Sequence, residues 1–278
     1  MITLPLAGVS TELNRRVLRQ DFRHSDLVSS GVDVLEVKNI KFSYGRKVVL
    51  ADVSLDLAYG ANLFLGRNGA GKTTLMRVLA GANRPDSGEV RLDGEPFQWG
   101  SGSTRRVLRR VGWLPQTFGF PPRMRVDEFI AYAAWLKEVP SSRVAERSRV
   151  VLELVDLTER SREPLKSLSG GQLRRAGLAA AMVADPELLI LDEPTAGLDP
   201  EQRDNFHELV RHVRQEKVVV VATHLLEDVD ALAEHLVVID QGAVRWTGTP
   251  AELVRQADGE VGLGALRAGF QALIGQES

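Results

Sequence analysis

The sequence predicts an α/β fold built on a parallel sheet, and three observations carry that prediction. Residues 188–191 and 218–222 are short unbroken apolar runs, the form taken by strands buried on both faces. Stretches of helical spacing lie between them, the alternation that produces parallel strands with crossover helices. A third apolar run, 61–65, leads into a glycine-rich loop and then into a helical run beginning at Thr74. With 278 residues, 44% of them hydrophobic and 26% charged, the chain can bury a sizeable core without staples. It contains no Cys, which excludes disulfides, thiolate metal sites and a cysteine nucleophile.

From the N-terminus, residues 1–32 are polar and weakly patterned, with Arg15, Arg16, Arg19 and Arg23 opposed by Glu12, Asp21 and Asp26. This stretch is expected to be a poorly ordered arm. Val34, Leu35, Glu36, Val37, Lys38, Asn39 and Ile40 alternate as a strand does, 48–57 reads as a second strand and 61–65 as a third, so a β-rich opening precedes the glycine loop. Helical spacing returns at 75–79, and 88–93 reads as a strand and turn. Between about 117 and 167 the composition turns helical, with Val126, Phe129, Ile130, Ala133, Ala134 and Leu136 at helix spacing and a second run over 143–157. These runs predict an inserted helical subdomain. In the tail, 255–278, Leu263, Leu266, Phe270 and Ile274 fall on one helix face, expected to pack on the body.

Charge narrows the partners. The 35 Lys and Arg against 37 Asp and Glu leave a formal charge of −2, so no nucleic acid is expected as a bulk partner. The cluster Arg105, Arg106, Arg109 and Arg110 is the one candidate basic patch, and it reads as a solvated helix face. No run approaches the 18 or more apolar residues of a membrane span, and the opening lacks the basic region and cleavage site of an export signal. A cytoplasmic protein is expected, and any role at a membrane needs a separate partner that crosses it.

The chemistry concentrates at the loop. Gly66, Arg67, Asn68, Gly69, Ala70, Gly71, Lys72 and Thr73 match G-x-x-x-x-G-K-[ST] in the strand-to-helix setting the motif requires. Glycines let the backbone curl so that its N–H groups face phosphate oxygens, and the helix N-terminus adds a favourable dipole. Lys72 reaches the β and γ phosphates, and the Thr73 hydroxyl is placed to ligate Mg2+. A metal beside phosphates also needs a carboxylate at a neighbouring strand end. Residues 188–191 end in Asp192 and Glu193, with Asp192 placed to hold the metal and Glu193 to orient a water for in-line attack. His224 follows the apolar run 218–222, so its ring can emerge at the same edge. Alone, Ser169, Gly170 and Gly171 are a turn and helix cap, His224 a structural histidine, Tyr44 a core or surface aromatic, and Gln116 no signal.

The ordered set changes that reading. Leu168, Ser169, Gly170, Gly171 and Gln172, lying between the phosphate loop and the Asp192–Glu193 pair, resemble the signature of the ABC ATPase family. Tyr44 resembles that family's adenine-stacking aromatic, Gln116 its Q-loop glutamine, Gly197, Leu198 and Asp199 its D-loop, and His224 its switch histidine. The resemblance spans 34–254. It implies a P-loop NTPase (RecA-like) core with an N-terminal antiparallel β subdomain, an ATPase domain over 33–254, and ATP with Mg2+ as ligands. Glu193, His224 and Gln116 would act in catalysis, with Gln116 also on the metal beside Thr73 and Asp192. Nucleotide contacts would come from Tyr44, 66–74 including Thr74, and, from a second subunit, 169–172 and Asp199. One departure is Ala180, where many members have Arg.

Two functions follow. The first is the ATP-hydrolysing subunit of an exporter, acting as a head-to-tail homodimer or with a paralogous ATPase subunit. It would sit peripherally on the inner face of the membrane through a separate transmembrane permease, with Phe118, Phe120, Pro121 and Pro122 offered as apolar contacts. The second is a soluble ABC ATPase acting on nucleic acid or ribosomes, which one phosphate loop and no long heptad run argue against.

Overall fold

A computed structural model describes residues 34–100, 102–255 and 262–274. The chain divides into units 1–32 and 33–278; the described residues belong to the second, and the expected arm lies outside them. Strands β1 (Leu35–Tyr44) and β2 (Lys47–Leu57) form an antiparallel hairpin registered from Leu35 opposite Leu57 to Tyr44 opposite Lys47. With β4 (Ser87–Leu92) and β5 (Glu95–Pro96) they make a four-stranded antiparallel sheet in the order β2-β1-β4-β5.

The second sheet holds β3 (Gly60–Leu65), β6 (Val111–Leu114), β7 (Leu188–Asp192), β8 (Val218–Thr223), β9 (His235–Asp240) and β10 (Ala243–Gly248), in the order β10-β9-β3-β8-β7-β6. All neighbours run parallel except β10 on β9. β9 and β10 are absent from the expected elements. β9 is a short continuous apolar run, the form that periodicity separates least well from helix, and β10 is a partly exposed strand with few apolar residues to mark it.

Every residue of β3, β7 and β8 is buried, because the sheet is covered on both faces. The two-residue period of a strand sorts their side chains. Leu63, Leu65, Leu189, Leu191, Val219 and Val221 face a core shared with most of the helices. Phe64, Leu188, Ile190, Val218, Val220 and Ala222 face a second core shared with the antiparallel sheet and the helix after β3.

The helices are α1 (Lys72–Leu79), α2 (Gly102–Arg109), α3 (Val126–Leu136), α4 (Ser141–Leu154), α5 (Gly170–Met182), α6 (Pro200–Val213), α7 (Leu226–Leu232), α8 (Pro250–Val254) and α9 (Gly262–Ile274). No helix among the described residues is long and apolar enough to cross a membrane. α3 buries Val126, Ile130 and Ala134 as its spacing predicts, but Leu136 is exposed. At 100° per residue Leu136 lies about 120° round the helix from Ile130, on the outer side with Tyr132 and the 68% exposed Trp135. α9 likewise departs from expectation at Leu263, which is exposed. The buried face runs through Ala265, Leu266 and Gly269, and a Cβ added at Gly269 would meet the Leu253 carbonyl at 2.5 Å, so small residues set the approach of α9 to α8. Phe118, half-buried, stacks on Phe129 at 6.2 Å and lies close against Gly177 of α5.

A largely buried ion cluster ties these layers together. Asp185, in the connection from α5 to β7, pairs with Lys217 before β8 and with Arg147 of α4 at 3.3 Å. Burial pushes this carboxyl up, but the two cations outweigh it and hold it below the ordinary range. Asp185→Asn leaves Lys217 and Arg147 uncompensated, a loss of about 3 kcal/mol, or roughly 6–12 °C in melting temperature for a domain of this size. Because the folded pKa is depressed, the parental advantage is present above the unfolded carboxylate pKa and disappears as pH falls through the folded value. Thermal melts of both proteins at neutral pH and below about pH 4 check both statements. Equal melting points at neutral pH would refute the cluster's contribution.

Candidate active site

The register of the parallel sheet assembles the candidate residues. Leu65 pairs with Thr223, Asp192 with Ala222 and Leu114 with Leu191, so β6, β7, β8 and β3 end side by side at their carboxyl edge. Gln116 follows β6, Asp192 and Glu193 end and follow β7, His224 follows β8, and the loop 66–73 follows β3. Four consecutive strands thus deliver all the core candidates to one edge, where ligands bind in open α/β sheets.

The loop's curl has identifiable causes. A Cβ at Gly66 would sit 2.2 Å from the Ile239 carbonyl of β9, so only glycine lets the chain leave β3 there. Gly71 takes φ +105° directly before α1 and gives that helix no side-chain cap, and the first turn carries no acidic residue. The leading amides of α1 are therefore suited to an external anion. Lys72 is buried, and its ammonium donates to the carbonyls of Gly66 at 2.6 Å and Arg67 at 3.2 Å. Burial lowers its pKa, opposed by Glu193 and Asp192. Thr74 is buried in the first turn.

Across the loop, Thr73 Oγ1 donates to Asp192 Oδ1 at 3.3 Å, while the buried Asp192 Oδ2 has no partner among the described residues. Burial raises the Asp192 pKa, opposed by Thr73, Arg174 and Lys72. A buried ammonium and a buried carboxylate, each penalised by burial, fit a phosphate beside the first and a cation beside the second. A hydroxyl and one orphaned carboxylate oxygen suit Mg2+, which takes few protein ligands and completes its shell with phosphate and water. No cluster of three or more His, Cys, Asp or Glu that could hold a metal occurs among the described residues.

Glu193 is buried and sits at φ +48°, a left-handed conformation rare for a non-glycine residue. Its N–H donates to the Ala222 carbonyl at 2.9 Å, pinning the turn to β8. Its Oε2 lies 2.8 Å from Nδ1 of His224, whose side chain is 47% exposed. The pair therefore has a buried carboxylate and a ring that reaches solvent.

Other candidates lie around this edge. Tyr44 is exposed at the end of β1, edge-on to Phe42, and its hydroxyl accepts from Arg77 of α1 at 3.3 Å and from Asn83 at 3.2 Å. Ser169 caps α5 with Gln172 in reciprocal bonds of 2.9 and 3.3 Å, and Ser169 and Gly170 are exposed. Asp199 caps α6 through the Gln202 amide at 2.8 Å. No hydrogen bond among the described residues joins 169–172 to Lys72, Asp192 or Glu193.

Sequence reasoning passed over Arg174. Its guanidinium, largely buried in α5, donates to the carbonyls of Pro115 at 2.6 Å, Gln116 at 2.9 Å, Asp192, and Glu193 at 3.1 Å. It thereby joins the Gln116 loop to the strand end that carries both carboxylates. A charged residue on the inward side of a helix is the only signal the sequence holds for this, and the partner carbonyls cannot be read from it.

A strand, phosphate loop and helix on a parallel sheet, with paired carboxylates on the next strand but one, define a P-loop nucleoside triphosphatase. Comparison with known proteins narrows the class: residues 50–196 match the ABC transporter family model, and the chain belongs to that family. It is 37% identical over 231 residues to a Nod factor export ATP-binding protein I of Cupriavidus metallidurans, covering 82% of this chain and 74% of that one. It is 34% identical over 222 residues to the sulfate/thiosulfate import ATP-binding protein CysA of Thermosynechococcus vestitus, covering 79% and 65% respectively. A solved ATP-binding subunit of an ABC transporter shares the fold with a TM-score of 0.74, covering 87% of this chain and 98% of that one at 24% identity. The chain is thus an ABC ATPase that binds ATP.

Proposed function

We propose that the chain is the nucleotide-binding subunit of an exporter, hydrolysing ATP to drive a separate transmembrane permease on whose cytoplasmic side it sits. The observation that carries the export reading is the likeness to the Nod factor export protein over most of the chain. In this reading Lys72 and the amides of 66–74 hold the β and γ phosphates, and Tyr44 stacks on adenine. Thr73, Asp192 and Gln116 would hold Mg2+, which when bound neutralises phosphate charge. Glu193 accepts a hydrogen bond from the attacking water, oriented by the His224 ring at 2.8 Å. Ser169, Gly170, Gly171, Gln172 and Asp199 serve the ATP of a second subunit, which accounts for their separation from Lys72 within one chain.

The candidate basic patch of the nucleic-acid reading carries counter-charges. Arg105 and Arg109 pair with Glu138 at the surface, and Arg110 pairs with Asp93, Glu95 and Glu187. Export is tested on inside-out membrane vesicles carrying the chain with its co-purifying permease. ATP should load solute into the lumen, as read by profiling its contents. ATP-driven emptying of the vesicles would show an importer, and vesicles in which no multi-spanning protein accompanies the chain would refute the subunit role.

A further inference from the structure

Behind the Glu193–His224 pair lies a buried polar group that the mechanism does not use. Asp228, in α7, is fully buried. Its Oδ2 accepts from the hydroxyl of Thr195 at 2.6 Å and from that of Thr223 at 2.7 Å, and its Oδ1 faces Nε2 of His207 at 2.9 Å. All three partners are themselves buried. The Thr223 hydroxyl in turn accepts the Leu225 amide at 3.0 Å.

The partners occupy telling positions. Thr223 immediately precedes His224, so the bonds to Asp228 and Leu225 fix the backbone on both sides of the switch ring. Thr195 belongs to the turn that carries Glu193 in its left-handed conformation, a turn closed by the Ala196 amide on the Glu193 carbonyl at 3.3 Å and the Leu198 amide on the Thr195 carbonyl at 3.2 Å. His207 lies two turns into α6, the helix capped by Asp199. One carboxylate therefore clamps the ends of β7 and β8 and the helix that follows the Asp199 loop. A completely buried carboxylate is costly to retain unless each oxygen is satisfied, and here each is.

We propose that Asp228 is a positioning residue for hydrolysis, holding Glu193 and His224 in register through Thr195 and Thr223 and tying both to α6 through His207. The inference rests on the reading of Glu193 and His224 as the hydrolytic pair. It concerns the turnover step alone, because no bond of this network reaches Lys72 or the loop 66–73.

The test is a set of variants assayed for kcat and for KM of ATP, each shown folded by its thermal melt. Asp228→Leu and the near-isosteric Thr223→Val should each lower kcat roughly 10- to 100-fold, the scale of sub-ångström misplacement at a reacting centre, with KM unchanged. Asp228→Asn should restore most of the kcat lost in Asp228→Leu. Its carbonyl can accept from both threonines, and its amide can donate to the His207 tautomer with a bare Nε2. A merely structural residue would lower the melting point without this kcat-only loss and without further dependence on Glu193. Combined with Glu193→Gln, Asp228→Leu should therefore cost little more, since both act on one step. Thr223→Val with parental kcat, or losses that multiply fully with Glu193→Gln, would overturn the inference. Parental turnover in Glu193→Gln alone would instead overturn the hydrolytic pair on which it rests.

Discussion

Glu193→Gln is expected to bind ATP and to lose at least about 100-fold in turnover, the scale of removing a general base. The substitution keeps the shape of the side chain in a buried turn pinned to the Ala222 carbonyl, and glutamine can still bond the His224 ring. What it removes is the negative charge. Lys72, Thr73 and Asp192 are untouched, so ATP affinity should hold or rise as carboxylate repulsion against the γ-phosphate is relieved. If 169–172 of a second subunit close over that phosphate, the variant should accumulate as an ATP-dependent dimer. Size-exclusion chromatography with and without ATP, beside phosphate release on the same sample, reads both. Parental turnover would remove Glu193 from the chemistry; slow turnover in a protein that stays monomeric would retain the chemistry and remove the ATP-driven dimer.

Lys72→Ala is expected to act one step earlier, abolishing turnover because the nucleotide no longer binds well. The ammonium already donates to two loop carbonyls and is placed to add the phosphates to them. A charge-assisted bond is worth about 3 kcal/mol at most, so losing one lowers ATP affinity roughly 100-fold. A thermal melt of the variant separates weak binding from unfolding, because the substitution also removes the donor to the Gly66 and Arg67 carbonyls. Titration with a fluorescent ATP analogue checks the affinity. Parental affinity and turnover would end the assignment of 66–73 as the phosphate loop.

The legible parts of this chain share a physical cause. The strands at 61–65, 188–191 and 218–222 are visible because burial on both faces makes them continuously apolar, and the loop is visible because phosphate binding fixes glycine, lysine and hydroxyl at set spacings. Once those strand ends are placed in register, Gln116, Asp192, Glu193 and His224 converge without further information. Side chains whose partners are set by tertiary packing were not legible. Arg174 bonds carbonyls 58 and 59 residues before it and 18 and 19 after it, and such acceptors leave no trace in residue type. Asp228 and His207 look like ordinary polar helix residues until β7, β8 and α6 bring Thr195, Thr223 and His207 round one carboxylate. Helix periodicity overreached at Leu136 and Leu263, where a face is broader in sequence than the surface it meets.

Arg174 gives the α5 end of the molecule the character of a rigid gear tooth. A planar guanidinium engages several acceptors only at fixed angles, so α5 cannot tilt against β7 by a small amount and keep the full set. A small rotation of that helix must either carry the Gln116 loop and both carboxylate-bearing residues with it or disengage from them altogether. One side chain thus ties α5, the Gln116 loop and the strand end that carries both carboxylates into a single bonded unit.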